Sequence, residues 1–210
     1  MGYLDVIRTV WENQDLAART LEHLYMFGLA MLGAGIIGIA IGIIIYKRKR
    51  SAAIVFNLLN VSETIPTLAL LVLLLPVFGL GSAPTIITSI IYSILPVARN
   101  TYAGLTSVSS EHLFVAESLG LSEWNILTRV RMPLALPLIA GGLRIALVFT
   151  MGVVTLGGLV AAGGLGAPIQ TGIQLYDKGI IVVTGLWVGL LAVILDAIAG
   201  IIEKRLEVRR

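Results

Sequence analysis

The strongest constraint on this chain is its long uncharged apolar stretches, which only a lipid bilayer can bury in a protein of this size. The stretch from Leu24 to Tyr46 carries no charge, and it exceeds the roughly 20 residues that a helix needs to span a membrane. Only 13% of the 210 residues are charged, about half the share that is usual in a soluble domain, whereas 57% are hydrophobic. The sequence therefore predicts an all-α integral membrane protein.

Breaks between the apolar stretches predict five transmembrane helices. The first stretch stops at the basic run 47–50, and the second, 51–98, is too long for one crossing and contains the turn-forming residues 79–84. A polar segment, 107–132, and a glycine-rich segment, 161–176, separate the later helices. The predicted spans are about 24–46, 51–78, 84–105, 134–160 and 179–202, within a membrane domain 24–202. An N-terminal amphipathic segment, 1–23, is predicted to lie at the membrane surface, and a tail, 203–210, follows the last span.

The distribution of Lys and Arg predicts the orientation. One side of the membrane collects Lys47, Arg48, Lys49, Arg50, Arg99, Arg129, Arg131, Lys204, Arg205, Arg209 and Arg210. The other side holds Arg8, Arg19 and Lys178. Because basic residues are retained on the cytoplasmic side, the N-terminus is predicted outside, and the 107–132 segment and the C-terminus in the cytoplasm.

Small residues and prolines indicate how the helices pack. Small residues recur at every fourth position of the first span, at Ala30, Ala34, Gly38 and Gly42, and again on the last span at Gly185 and Gly189. Such stripes favour close helix contact, either within the chain or with a second subunit. Three prolines, Pro66, Pro76 and Pro96, are predicted to bend or unwind their helices and to free backbone carbonyls for a polar cavity.

The polar segment 107–132, called the elbow below, is predicted to form two short helices joined by a glycine. Ser110 is a suitable cap for a helix over Glu111–Leu119, and Gly120 follows where a left-handed residue ends a helix. Ser122 is predicted to cap a second helix that finishes before Pro133. The elbow is too polar for the bilayer and carries apolar residues, so it is either a docking surface for a cytoplasmic partner or an ordinary interfacial loop.

The elbow resembles the EAA loop of binding-protein-dependent ABC importer permeases. Residues 115–120, Val-Ala-Glu-Ser-Leu-Gly, and residues 130–133, Val-Arg-Met-Pro, have the spacing of that motif between its glycine and its proline. The chain departs from the motif at its start, where Phe114 replaces the usual acidic residue and Glu111 or Glu117 is left to substitute for it. The resemblance implies an ATPase-coupling site formed by Phe114, Val115, Ala116, Glu117, Gly120, Leu121 and Pro133.

Four further segments resemble the subfamily that imports glycine betaine, carnitine and choline. They are 63–71 (ETIPTLALL), 95–102 (LPVARNTY), 133–138 (PLALPL) and 162–166 (AGGLG). The resemblance implies the type I ABC importer permease fold and a permease subunit of an osmoprotectant importer in a bacterial cytoplasmic membrane. It also implies a second permease subunit, identical or related, two cytoplasmic ATPase subunits and an extracytoplasmic binding protein.

The resemblance makes the chain a transport subunit and not an enzyme. The sequence has no Gly-x4-Gly-Lys-Ser/Thr phosphate loop, so ATP and Mg are expected on the partner ATPase and no cofactor is expected in this chain. No nucleic-acid partner is expected. His23 and His112 lie far apart beside loop boundaries and are interpreted as ordinary interfacial residues rather than metal ligands.

Charged residues inside the predicted spans are candidates for the translocation path, because charge at bilayer depth faces a cavity or a partner. Glu63, with Thr64 and Pro66, is predicted to line the path and attract a quaternary ammonium group. The alternatives are that Glu63 pairs with Arg144 or stays neutral. Arg144 is predicted to donate to carbonyls of broken helices, and Asp196 to reach or pair near the cytoplasmic surface.

A glycine-rich turn on the outer side is the last candidate site. Gly163, Gly164 and Gly166 precede the final span and are interpreted either as an external gate or binding-protein contact, or as a tight turn.

Other functions stay open at this point. The same architecture could import another small solute, such as an amino acid or a betaine-like thiol compound. An ATP-independent channel or carrier, or a non-transporting scaffold, would have no use for the elbow or for charged residues within the spans.

Overall fold

A computed structural model describes residues 2–207, and all regular secondary structure within them is helical. The helices are α1 Tyr3–Asn13, α2 Leu16–Ile45, α3 Lys49–Thr64, α4 Thr67–Phe78, α5 Ser82–Thr106, α6 Ser110–Ser118, α7 Glu123–Ile126, α8 Met132–Leu156, α9 Gly166–Leu175 and α10 Lys178–Glu207. A π turn, Leu127–Arg131, joins α7 to α8, and a 3₁₀ turn, Gly157–Val160, follows α8.

Helix α5 lies at the centre of the bundle, packed against both α2 and α8, which also contact each other. Its buried positions include small hydroxyl side chains, namely Thr85, Thr88, Ser89, Ser93 and Thr101. The Ser93 hydroxyl lies 2.8 Å from that of Thr150 on α8, which gives a hydrogen bond between helices in the core. Hydroxyl side chains of this kind are small enough to let helices approach and polar enough to join them.

The predicted stripe of small residues on α2 forms the closest helix contact. Ala30 and Ala34 are fully buried. A Cβ atom added to Gly38 would lie 2.6 Å from the Val97 Cβ, and one added to Gly42 would lie 2.5 Å from the Thr101 Cβ. The stripe is therefore confirmed as a contact within the chain.

The second predicted stripe is wrong as a contact within the chain. A Cβ atom added to Gly185 or Gly189 on α10 would have no neighbour within 4 Å. These glycines lie on the exposed face of α10, which leaves only the contact with a second subunit open.

Three helical stretches are long and apolar enough to cross a membrane: Leu16–Ile45, Glu123–Val160 and Lys178–Glu207. The pair formed by α3 and α4 would add a fourth crossing if it is counted as one broken span. Helix α5 has 25 residues but falls outside this set. Its hydroxyl residues lower its hydropathy, and they face the bundle rather than lipid.

The predicted helix 51–78 is two helices, because Pro66 breaks it. Helix α3 ends at Thr64 and α4 begins at Thr67, with a bend of 90° between them. Ile65 is extended, as expected for a residue before proline. The carbonyl freed at Ile65 accepts a hydrogen bond from the Tyr92 hydroxyl. Pro76 and Pro96 lie inside their helices without ending them.

The N-terminal segment differs from its predicted limits. It is helical over α1, but α2 begins at Leu16, several residues before the predicted start of the first span. Asp15 separates the two helices in a left-handed conformation, and its carboxylate caps α2 by accepting from the Ala18 N–H. Trp11 of α1 packs edge-on against Trp187 of α10, with ring centroids 5.0 Å apart.

Two boundaries near the C-terminus also differ. Part of the glycine-rich segment 161–176 is helical, as α9, because residues 166–175 contain enough apolar side chains to pack against α10. Helix α10 runs on to Glu207, so residues 203–207 of the predicted tail belong to it. Met1 and residues 208–210, which include Arg209 and Arg210, lie outside the described residues.

The close approach of α2 and α5 makes a testable prediction. Gly38→Ala is expected to lower the free energy of unfolding by about 1–3 kcal/mol, because the new methyl group collides with Val97. Gly28→Ala on the same helix is the matched control, since its Cβ would meet nothing within 4 Å. Thermal unfolding of the solubilised protein measures both, and equal unfolding temperatures would contradict the close contact.

Candidate functional site

The elbow is formed by two capped helices that meet at a left-handed glycine. The hydroxyl of Ser109, and not of the predicted Ser110, accepts from the backbone N–H three residues later and begins α6. Ser109 has the extended backbone that a capping residue needs, whereas Ser110 is already helical. Gly120 follows α6 with φ +71°, and Ser122 caps α7, both as predicted.

The second elbow helix does not finish before Pro133. Helix α7 runs through the π turn into α8, and the Met132 N–H donates to the Leu127 carbonyl, five residues back. A proline ring in an ordinary helix would meet the carbonyl four residues before it. The wider turn, together with the position of Pro133 at the very start of α8, lets the helix continue.

Apolar side chains project from the elbow into solvent. Phe114 is 70% exposed, Leu119 74% and Trp124 70%. A groove of about 430 Å³ lies beside them and is lined by Glu111, His112, Val115, Ala116, Leu119, Leu121 and Val130. Exposed apolar groups of this size beside a groove are typical of a protein interaction site.

The structure brings together most of the predicted coupling residues. Phe114, Val115 and Glu117 are exposed on α6, and Gly120 is exposed after it. Ala116 and Leu121 line the inside of the groove, whereas Pro133 is exposed outside it at the start of α8. Sequence reasoning missed Trp124, and it placed Val130 in the motif without counting it among the coupling residues. The signal that could have identified Trp124 was its position, as a large aromatic residue two positions after the capping Ser122.

The base of the elbow is tied to the C-terminal ends of α2 and α5. Lys47 forms an ion pair with Glu123, and its hydrogen bond holds the pKa of the Glu123 carboxyl below its ordinary value. Arg131 donates to the Leu105 carbonyl at the end of α5, and its guanidinium lies 5.4 Å from the centre of the Tyr46 ring. These contacts connect the elbow to both helices.

A second candidate site lies where α3 crosses α5, and we call it the α3–α5 face: Phe56, Asn60, Glu63, Arg99 and Tyr102. Asn60 and Glu63 occupy successive turns of one side of α3. Arg99 is exposed inside α5 rather than in a loop, and it donates to the Asn60 side-chain oxygen at 3.0 Å. Phe56 lies 5.8 Å below the guanidinium and packs edge-on against Tyr102.

Of the predicted path residues, Glu63 belongs to this face, and Thr64 and Pro66 lie beside it. Glu63 is half-buried and interacts electrostatically with Arg99, and Thr64 and Pro66 are exposed at the break after α3. The Thr64 hydroxyl donates to the Val61 carbonyl at 2.7 Å. Sequence reasoning missed Asn60 and Arg99 as members, although a charge inside the motif 95–102 was a signal.

Arg144 pairs with carboxylates of α10, so two of its predicted partners are wrong. Its guanidinium donates two bonds to Asp196, at 2.7 and 2.8 Å, and one to Glu203, at 3.1 Å. Among the described residues it therefore bonds neither backbone carbonyls nor Glu63. Gly200 makes room, since a Cβ atom there would lie 3.1 Å from the guanidinium carbon. Asp196, which lies inside α10, finds its partner on α8.

The outer turn, Gly163–Gly166, is fixed by α2. The Gly164 N–H donates to the Glu22 carboxylate at 2.8 Å, and Arg19 pairs with the same carboxylate at 2.8 Å. Gly163 and Gly164 have φ of +84° and +61°, which favour glycine. Gly166 lies against the end of α8 and the 3₁₀ turn, since its added Cβ would be 2.0 Å from the Thr155 carbonyl oxygen and 2.8 Å from the Gly158 nitrogen.

The two histidines have different surroundings. His23 is fully buried under Gly164, and neither ring nitrogen has a hydrogen-bond partner among the described residues, so the interfacial interpretation is wrong for it. His112 is exposed on the elbow, and its Nδ1 lies 2.6 Å from the Ser109 hydroxyl.

Comparison with known proteins gives consistent results. Residues 34–208 match the family described as binding-protein-dependent transport system inner membrane component. The glycine betaine/carnitine/choline transport system permease protein OpuCD of Bacillus subtilis (strain 168) is 39% identical over 89% of this chain and 82% of its own length. The osmoprotectant import permease protein OsmW of Salmonella typhimurium is 35% identical, over 92% of this chain and 93% of its own length.

Solved structures share the fold. An inward-facing MetNI methionine ABC transporter superposes with a TM-score of 0.79 at 22% identity, covering 91% of this chain and 96% of that one. An amino acid ABC transporter solved with histidines gives 0.76 at 16% identity, over 98% and 99% of the two chains.

The Arg144 cluster makes a prediction about stability. Arg144→Gln is expected to lower the unfolding temperature of the solubilised protein, because Asp196 and Glu203 then lack their cation. Adding Asp196→Asn is expected to recover part of the loss, as for any coupled pair. The control is Arg8→Gln, which removes an exposed pair with Glu12 and should change little. Strictly additive effects of the first two substitutions would contradict the coupling.

Proposed function

The chain belongs to the family of binding-protein-dependent transport system inner membrane components, and we propose that it forms the translocation path of an ATP-driven importer for small quaternary-ammonium osmoprotectants. It is a membrane transport subunit and not itself an enzyme. The observation that carries this function is the exposed apolar elbow, which is built to receive a partner. The substrate class is supported by relatives named for glycine betaine, carnitine, choline and osmoprotectant transport.

The proposed topology has five spans: α2, the broken pair α3–α4, α5, α8 and α10. Helix α5 is included because lipid would never meet its hydroxyl residues, which the neighbouring helices cover. The N-terminus lies outside, with α1 at the membrane surface, and the elbow and the C-terminus lie in the cytoplasm. The basic residues at the ends of α2 and α10 support this orientation.

The elbow is proposed to dock on a cytoplasmic ATPase, which binds ATP and Mg. Phe114, Val115, Glu117, Gly120 and Leu121 form the contact with it, joined by Trp124 and by Ala116 beneath them. The ties from Lys47 to Glu123 and from Arg131 to Leu105 then carry a displacement of the elbow into α2 and α5. Pro133 contributes to docking without contacting the ATPase, because it lies at the start of α8 and influences how that helix leaves the elbow.

The path is proposed to run between two permease subunits, identical or related. Arg99 lies inside α5, and Glu63 lies next to the last residue of α3, at the break within the proposed α3–α4 span, where a charge facing lipid is costly. Their face is therefore covered by water or by another subunit. Thr64 and Pro66 extend this lining to the break between α3 and α4.

The outer turn is proposed as the external gate and the contact with the extracytoplasmic binding protein. The Gly164 N–H is held by the Glu22 carboxylate, and Gly166 begins α9. The contact between the turn and α2 therefore depends on few hydrogen bonds, among them the one from Gly164 to Glu22.

Docking through the elbow is tested by Gly120→Val. A branched side chain at φ +71° costs about 1–2 kcal/mol, so the elbow is expected to distort and association with the ATPase to fall by about tenfold. Co-purification with the ATPase and ATP-driven uptake measure the effect.

The matched control is Gly79→Val, which also places a branched side chain at a positive φ, +73°, in a backbone with ψ −176° that is nearly restricted to glycine; open space surrounds it at the opposite end of the bundle. It is expected to leave association with the ATPase intact. An equal loss in both variants would mean general misfolding, and no loss in either would rule out docking through the elbow.

Orientation is tested by cysteine labelling, because the natural chain contains no cysteine. A membrane-impermeant maleimide applied to intact cells is expected to label Lys178→Cys, at the start of α10. It is expected to label Leu119→Cys, on the elbow, only after the membrane is opened. The reverse pattern would overturn the proposed topology.

A further inference from the structure

His23 is a buried imidazole without hydrogen bonds, two turns after the start of α2. Its side chain is fully buried, and neither ring nitrogen has a hydrogen-bond partner among the described residues. A neutral imidazole carries one donor and one acceptor, and burying both without partners costs free energy. Packing alone would be served better by an apolar side chain, so the ionisable ring calls for a reason of its own.

The outer turn forms part of the cover over this ring. A Cβ atom added to Gly164 would lie 3.3 Å from the His23 Nδ1 and 2.9 Å from the Met26 Cε, so the backbone of the turn lies against both side chains. The next residue of the turn, Leu165, is fully buried. The Gly164 N–H donates to the Glu22 carboxylate, which holds the turn on α2. The ring is shut off from water while the turn keeps this position.

No charged group of the surrounding elements compensates a proton on His23. Arg19 and Glu22, on the same helix, pair with each other at 2.8 Å. The other charged residues of the elements around α2 are Asp5, Arg8, Glu12, Asp15, Lys49, Arg50, Glu63, Arg99, Arg144, Asp177 and Lys178. None of them bonds the ring, because both ring nitrogens lack a partner among the described residues. The buried ring is therefore neutral, since a buried charge without a partner is costly.

Exposure to water would allow the ring to take up a proton. A histidine in water does so near about pH 6.5, whereas a glutamate such as Glu22 ordinarily does so near about pH 4.3. If only the open form of the turn admits the proton, each pH unit below the histidine value multiplies the ratio of open to closed forms by about ten. The closed form is thus fully stable above that value and loses stability as the pH falls.

We propose that His23 makes closure of the outer turn depend on pH: the turn closes over the neutral ring, and protonation of the ring releases the turn from α2. The inference rests on the proposed external gate and adds what regulates it, namely acidity on the outer side. Glu22 holds the closed turn at both neutral and mildly acid pH, and His23 supplies the response to protons.

The test measures how often the turn opens in the whole chain, held in lipid nanodiscs. Because the natural chain has no cysteine, Leu165→Cys places a single thiol in the buried part of the turn, where a dithiodipyridine reacts with it only after opening. Lys178→Cys, at an exposed residue, gives the pH dependence of the reagent itself. The ratio of the two rates is expected to rise by about tenfold to thirtyfold from about pH 7.5 to about pH 5.

Variants at the two histidines assign this response. His23→Gln takes up no proton, so its ratio is expected to change by less than about twofold over the same range, whatever its starting value. His23→Leu, which also removes the unpartnered nitrogens, is expected to be equally flat and serves if the glutamine variant does not fold. His112→Gln, which alters the exposed histidine of the elbow, is the matched control and should keep the full response. Met26→Cys, buried beneath Gly164, is a second reporter if Leu165→Cys does not fold.

Glu22→Gln separates the carboxylate from the histidine. It is expected to raise the opening rate at every pH, because the Gly164 N–H then donates to a neutral acceptor, and to keep the pH response. A response that persists in the His23 variants, or that disappears in Glu22→Gln or His112→Gln, would overturn the role of His23. So would a buried thiol in the wild-type background whose relative rate is the same at both pH values. ATP-dependent uptake by the complete importer at neutral pH tests the proposed function separately, since the labelling needs neither the ATPase nor the binding protein.

Discussion

The close approach of α2 and α8 to α5 is the contact on which the rest of the bundle depends. Gly38 and Gly42 bring α2 so near that a single methyl group would collide with α5, and Gly142 does the same from α8, where an added Cβ would be 2.6 Å from the Asn100 Cβ. Lipid gives helices little hydrophobic reason to associate, so shape and hydrogen bonds must hold them. The hydroxyl residues of α5 meet both needs, and the broken α3–α4 pair and α10 then pack around this triple contact.

Charge within the helices divides into two kinds. The Arg144 cluster is compensated inside the chain and fixes α10 to α8, so it is structural. Arg99 on the α3–α5 face has no carboxylate within 4.0 Å among the described residues and donates instead to the Asn60 side-chain oxygen. Two arginines inside helices of one bundle therefore have different surroundings, and the difference is the number of carboxylates within hydrogen-bonding distance.

Local features of the sequence predicted local structure well. The capping Ser122, the left-handed Gly120, the break at Pro66 and the small-residue stripe of α2 each depend on a few neighbouring residues, and each was found. Features that depend on distant residues were missed. Arg144 meets Asp196 and Glu203 only after α8 and α10 pack, and His23 is covered in part by Gly164, which is distant in sequence. The hydroxyl residues of α5 are explained only once its neighbours surround them.

The π turn at 127–131 determines the direction in which each later side chain of α8 points around the helix axis. One residue added to an α-helical register advances each later side chain by about 100° around the axis. In α8 that rotation decides that Gly142 meets α5 while Arg144 meets α10. The π turn thus fixes the rotation of α8 about its axis relative to the elbow. A one-residue deletion there would turn the far end of the helix away from both neighbours while leaving its composition almost unchanged.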